Sequence, residues 1–169
     1  DAAVAFLRQE KRIGRIGAIG HSAGAVSILL SAARNPGIDV VVAAAPFPTV
    51  ETVWETNRPA IFPRPLLEMT LRLSEVTRGY SRDEVRPLDV ISGIAPRPVL
   101  LLHGLDDARI SESQARGLFA AAQAPKQLWL VEGADHGEMG APALTALMDE
   151  IIQFLKASLL DEDPAAHAR

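Results

Sequence analysis

The 169 residues predict an α/β fold, a mostly parallel sheet covered by helices on both faces and one domain in extent. Three observations carry that expectation. Short apolar runs of strand length alternate with helical patterns; those runs lack a polar second face, as strands buried on both sides do; and a glycine-flanked serine stands where a strand gives way to a helix. A single domain of this length buries about 70% of the surface its unfolded chain exposes, so a sizeable core is expected.

Residues 1–12 place Ala3, Val4, Phe6 and Leu7 on a helical spacing, with Lys11 and Arg12 suited to the negative end of the helix dipole. Ile13 to Gly20 is a small-residue apolar run, predicted as a strand buried on both faces. Ala23 to Arg34 runs helically through Val26, Leu29 and Leu30 until Asn35, Pro36 and Gly37 stop it. Ile38 to Ala45 is a second strand, Val99 to Leu102 a third announced by Pro96 and Pro98, and Gln127 to Val131 a fourth. Between the last two, Ser111 and Gln114 predict a capping box, with Ala115, Leu118, Phe119 and Ala122 on the inner face of its helix. Leu144, Leu147, Met148, Ile151, Phe154 and Leu155 mark a C-terminal helix. Alternation of this kind implies right-handed crossovers and a parallel sheet.

The stretch from Pro46 to Pro98 interrupts the pattern, holding 8 of the 12 prolines. Residues 46–97 are expected as a cap-like insertion with helices over Thr49 to Asn57 and Pro65 to Arg78, inside a domain spanning 1–160. Residues 161–169 are polar and Ala-rich, an expected frayed tail.

Composition narrows the function classes. Apolar residues are 48% and charged residues 22%, ordinary for a globular chain, and the net charge of −4 with no basic stripe argues against a nucleic-acid partner. The absence of cysteine excludes disulfides, thiolate metal sites and a thiol nucleophile. No feature implies a metal or organic cofactor, so none is expected. The chain opens on Asp1 without a charged segment and apolar stretch before the globular pattern, so a leader or anchor on a longer parent would lie upstream. Compartment and membrane association are undecided at this level, with the cytoplasm favoured.

Gly20-His21-Ser22-Ala23-Gly24 lies between a strand and a helix, the context that a G-x-S-x-G nucleophile elbow requires. A turn this tight leaves no room for side chains two before and two after the serine, and both positions are glycine. It lifts the Ser22 hydroxyl above the strand ends, while the helix that follows aims its first amides, beginning with Ala23 N–H, at a developing oxyanion. Two further loops carry polar groups at strand ends: His103-Gly104-Leu105-Asp106-Asp107 and Gly133-Ala134-Asp135-His136-Gly137. Either aspartate of the first loop could reach a histidine; each could equally be a turn residue bonded to its own backbone.

Together with the elbow, the phrases RPVLLLHGLDD and PKQLWLVEGADHGEM resemble the second half of the α/β-hydrolase superfamily, its small esterase, lipase and aminopeptidase-like members above all. The resemblance implies an α/β-hydrolase fold with a helical cap and a Ser-His-Asp triad. It places the acid at Asp107 in H-G-x-x-D-x-x-V, with Ile110 as apolar anchor, the base at His136, and His103 as a structural residue beneath the turn. Asp107 follows Ser22 by 85 residues and precedes His136 by 29, which fits the intervening elements. The implied chemistry is attack by Ser22 on a small-molecule acyl substrate, His136 taking the proton, Asp107 orienting the imidazole, and water resolving an acyl-enzyme. Carboxylic esters lead as substrate; amides, acyl transfer with the same triad, and a non-catalytic fragment are the alternatives. His21, Phe47, Trp54 and Phe62 are candidate substrate-contacting residues, with Ile61, Leu66, Met69 and Tyr80 as further candidate walls, and Arg58, Arg64, Arg72 and Arg78 are expected on solvated helix faces. Relative to complete members the first strands and the loop with the second oxyanion donor are missing. The strand before Ser22 is therefore expected to be a raw edge, to be covered by an N-terminal half or by oligomerisation.

Overall fold

Strands β1 (Gly17–His21), β2 (Val40–Ala44), β3 (Val99–Gly104) and β4 (Lys126–Val131) form one parallel sheet in that order. They do so in a computed structural model that describes residues 1–59, 61–137, 145 and 147–160. Leu144 and the tail 161–169 lie outside the described residues. Helices α1 (Ala2–Gln9), α2 (Ala23–Arg34), α3 (Val50–Asn57), α4 (Arg64–Arg78), α5 (Pro87–Val90), α6 (Glu112–Ala121) and α7 (Met148–Leu159) surround or overlie it.

The period of two along β2 and β3 builds the two halves of the core. Val41, Ala43, Val99 and Leu101 point to one face, where Ala25, Leu29 and Ala32 of α2, Ile91, Ile94 and Leu118 meet them. Val40, Val42, Ala44, Leu100 and Leu102 point to the other and pack on Ile151 and Phe154 of α7. Both central strands are buried at every position, as a sheet covered by helices on both faces demands. Arg97 closes the lower end of α2. Its guanidinium donates to the Ala32, Asn35 and Ile38 carbonyls at 2.7, 3.0 and 3.0 Å, the first an acceptor in the last turn of the helix and the others in the loop that follows.

Three local expectations need correction. The first strand is shorter than Ile13 to Gly20 and is not buried on both faces as its composition suggested: it lies at the sheet edge, as the resemblance implied, and Ile19 is 50% exposed. α7 lies against the start of the strand, where a Cβ on Gly17 would touch Leu155 and Leu159. Ser111 is the N-cap of α6 but makes no side-chain capping bond; its hydroxyl pairs with that of Ser113 at 2.9 Å. Gln114 reaches away from the helix end to the Thr56 hydroxyl at 2.9 Å, so a tertiary bond replaces the capping box.

The insertion between β2 and β3 is braced by charge. Arg82 lies 3.5, 3.1 and 3.4 Å from carboxylates of Glu51, Glu68 and Glu75, joining α3 to α4 and to the short 3-10 turn Arg82–Glu84. On α4, Leu67 and Leu71 are buried while Leu66, Met69, Leu73 and Val76 stand exposed. Arg58 is not simply solvated, for its guanidinium donates to the Phe62 carbonyl, and Arg64 pairs with Glu55. Among the described residues, no helix is long and apolar enough to cross a membrane.

Candidate active site

All strands being parallel, their carboxyl ends lie along one edge of the sheet, and each delivers a different loop there. β1 leads into Ser22, β3 into Asp107 and β4 into His136. The three side chains, up to 114 residues apart in sequence, form one hydrogen-bonded line. Asp107 Oδ2 lies 2.7 Å from His136 Nδ1, and His136 Nε2 lies 3.0 Å from Ser22 Oγ.

Ser22 is the tight point of the strand-to-helix turn. Its φ of 52° and ψ of −121° are sterically costly for a residue with a side chain, by about 1–3 kcal/mol. The surroundings impose it: Ser22 N–H donates to Ala44 O at 2.8 Å in continuation of the sheet, and its carbonyl already accepts from Val26 N–H at 3.0 Å in the first turn of α2. Gly20 explains part of the motif, because a Cβ there would lie 2.6 Å from the carbonyl of Gly24. Gly24 does not share the reason given from sequence. A Cβ at Gly24 meets nothing within 4 Å, so of the two glycines only Gly20 is required by crowding in the turn. Ala23 is the first residue of α2, and an amide in the first helical turn has no intrahelical acceptor, which leaves its N–H available to an oxyanion.

Asp106 and Asp107 part company in space. Asp106 is exposed, while the Asp107 side chain is 0% exposed and faces the imidazole. The second oxygen of Asp107 is held too: Oδ1 accepts from the backbone amides of Arg109 and Ile110 at 2.8 and 2.9 Å. A carboxylate gripped on one oxygen by two amides presents the other in a fixed direction, which fixes both tautomer and plane of the ring it meets. Ile110 is buried beside it. His103 lies beneath this turn, fully buried, with Nε2 2.9 Å from Ile110 O. Burial pushes its pKa below the ordinary imidazole value, so its Nε2–H donates to that carbonyl from a neutral ring.

Two contacts of the histidine loop were not apparent from the sequence. A Cβ on Gly104 would stand 2.2 Å from Ala134 O, so the end of β3 must be glycine for the loop to pass over it. Leu105 N–H and Asp106 N–H then donate to Val131 O and Ala134 O at 2.9 and 3.1 Å. The signal available was the glycine just past the apolar run Val99 to Leu102, at the point where the strand gives way to the Leu105-Asp106 turn. Gly104→Ala is expected to displace the loop and lower stability by about 1–3 kcal/mol, seen as a lower urea midpoint at unchanged slope, with a loss of activity larger than the loss of folded protein. The second contact is His21, whose Nε2 lies 2.9 Å from the main-chain oxygen of His136.

The remaining candidates lie on the insertion. Phe47 is half-buried just beyond β2, Trp54 is exposed on α3, and Phe62 is half-buried between α3 and α4. The insertion also touches the acid loop, for Asn57 Nδ2 donates to Arg109 O at 2.9 Å. Among the described residues, no group of three or more histidine, aspartate or glutamate side chains is arranged to hold a metal ion.

The sequence profile of the prolyl oligopeptidase family matches residues 2–161. An uncharacterized protein of Bacillus subtilis, YqkD, is 34% identical over 128 residues, covering 73% of this chain and 42% of its own length. Among solved structures, the esterase domain of a Rhodothermus marinus protein is 25% identical with a TM-score of 0.63, over 89% of this chain and 63% of that one. An esterase of Pyrococcus furiosus superposes with a TM-score of 0.71 at 20% identity, over 94% of this chain and 60% of that one, and an acylaminoacyl peptidase of Pyrococcus horikoshii with 0.65 at 18%, over 92% and 26%. The chain thus spans less than two thirds of the length of each of these relatives.

Proposed function

This chain belongs to the prolyl oligopeptidase family, and on that premise we propose that it carries the triad of a serine hydrolase, with Ser22 as nucleophile, His136 as general base and Asp107 as orienting acid, acting on small carboxylic esters. The observation that carries the reading is the Asp107–His136–Ser22 line, 2.7 and 3.0 Å in its two links, on the carboxyl edge of a parallel sheet.

The steps follow from what each atom can do. A serine hydroxyl is a weak nucleophile until its proton has somewhere to go; His136 Nε2, within hydrogen-bond distance of Oγ, takes it as Oγ attacks the substrate carbonyl. The imidazolium that forms has both N–H groups charged, and Asp107 Oδ2 stabilises the Nδ1 side. The oxyanion of the tetrahedral intermediate is received by Ala23 N–H, backed by the positive end of α2. His136 then returns the proton to the leaving alkoxide, the acyl group stays on Ser22, and the cycle repeats with water as nucleophile. Phe47, Trp54 and Phe62 are proposed as walls for the acyl or leaving group.

The ester preference is supported by the likeness to an esterase domain at 25% identity. A peptidase reading is favoured by the family's name, and the same atoms would serve it, with an amine as leaving group. The test is turnover of a p-nitrophenyl ester series beside aminoacyl p-nitroanilides, after active sites are counted with a fluorophosphonate by intact mass. One adduct per chain and faster ester than anilide turnover is the expected result; a faster anilide reverses the substrate class, and no adduct on folded protein removes the hydrolase reading of this chain.

A further inference from the structure

His21, a candidate substrate contact by its place beside Ser22, makes a bond of its own. Its ring does something more definite. It is the last residue of β1, one position before the nucleophile, and its Nε2 lies 2.9 Å from the carbonyl oxygen of His136. The two imidazoles stand 5.1 Å apart between centroids at a 45° tilt. A carbonyl only accepts, so the proton in this bond is on His21 Nε2.

We infer that His21 is a positioning residue: it ties the nucleophile strand directly to the main chain of the catalytic base and so sets the distance from His136 Nε2 to Ser22 Oγ. This rests on the proposed triad. The physical case is one of anchoring. Three bonds to the histidine loop, from Leu105 N–H, Asp106 N–H and the Asp107 carboxylate, run to the β3 side, while toward β1 the His136 ring meets Ser22 Oγ. Ser22 belongs to β1, two strands away from β3. A base held from the acid side alone keeps its bond to Asp107 while its far nitrogen drifts relative to the serine. The His21 bond closes that gap by joining the residue beside the nucleophile to the backbone of the base, 115 residues away. A misplacement of about 1 Å in such a relay costs about 100-fold in rate.

The test uses two variants of the full chain. His21→Leu keeps apolar bulk and removes the donor; His21→Gln places an amide N–H at a similar reach. The readouts are the second-order rate of Ser22 labelling by diisopropyl fluorophosphate, kcat and KM on p-nitrophenyl acetate, thermal midpoint, and imidazole 15N NMR of His21 and His136. His21→Leu is expected to slow labelling and kcat by about 10–100-fold with KM and thermal midpoint unchanged. His21→Gln is expected to restore most of the loss. In the NMR spectrum the wild-type His21 should carry its proton on Nε2, and the His136 ring signals should move in His21→Leu but stay in place in His21→Gln. Labelling at the wild-type rate in His21→Leu, a glutamine variant as slow as leucine, or a change confined to KM would overturn the assignment, the last returning His21 to the pocket wall. If the wild-type chain takes no label, the proposed hydrolase chemistry fails separately, and the NMR comparison alone decides the tether: His136 signals unmoved in His21→Leu would end it.

Discussion

Replacing Ser22 by alanine is expected to abolish covalent labelling by a fluorophosphonate and to lower ester turnover by about 10⁶-fold, while the thermal midpoint stays level or rises. The loss is this large because no neighbouring group replaces Oγ: His136 Nε2 would face a methyl group, and the tetrahedral and acyl-enzyme species could not form. The stability forecast follows from the backbone. Ser22 makes its structural bonds through its amide and carbonyl, to Ala44 O and from Val26 N–H, and alanine retains both. The strained φ of 52° is held by those bonds and by the crowding of Gly20 against Gly24, and it is as costly for alanine as for serine. Removing a polar side chain from such a turn therefore changes chemistry without changing architecture. Intact mass before and after exposure to the probe, beside a circular-dichroism melt, measures both halves. An adduct that persists in Ser22→Ala would mean that another residue carries the reactive hydroxyl.

The second large effect separates two adjacent aspartates. Asp107→Asn is expected to reduce kcat by about 10⁴-fold, and Asp106→Asn by no more than a few-fold. The asparagine side chain keeps the shape, and its carbonyl oxygen can take over the amides of Arg109 and Ile110. Its NH₂ group then faces His136 Nδ1 as a donor, which favours the tautomer with Nδ1 bare and the proton on Nε2, where Ser22 needs an acceptor. The base is thus present but wrongly protonated. Asp106 contributes its backbone amide to Ala134 O, a bond that side-chain substitution leaves untouched, and its carboxylate is exposed. Steady-state kinetics on one ester at saturating concentration distinguishes the two; equal losses would take Asp107 out of the orienting role.

The site also shows why this fold suits a relay of separate loops. Each member stands at the carboxyl end of a different strand, so the pairing registers of β1 with β2, β2 with β3 and β3 with β4 set the relative heights of serine, acid and base. The loops then need only short-range bonds to finish the alignment. Gly104 supplies the clearance for the histidine loop, the amides of Arg109 and Ile110 aim the carboxylate, and His21 faces the base from the nucleophile side.

What could be read from the sequence by itself was whatever is encoded over short windows. The apolar runs of Val40 to Ala44 and Val99 to Leu102, the stop at Asn35-Pro36-Gly37 and the glycine-flanked Ser22 were legible because hydrophobic period, chain breakers and turn sterics act within a few residues. The order of strands and helices, and with it the α/β class, followed from those windows, while the α/β-hydrolase fold was implied by the resemblance of the elbow and the two loop phrases. Contacts across the chain were not legible. Side-chain orientation at Asp106 and Asp107 depends on which of two neighbours meets a ring 29 residues later; the ring of His21 finds a carbonyl 115 residues on; Gln114 leaves its predicted capping role for Thr56, 58 residues back. β1 has the composition of a buried strand, yet exposure depends on what lies beside it in the sheet, and only the resemblance pointed to its edge position. Composition and period describe a residue's own preferences. Partners brought together by tertiary packing decide which of those preferences is met.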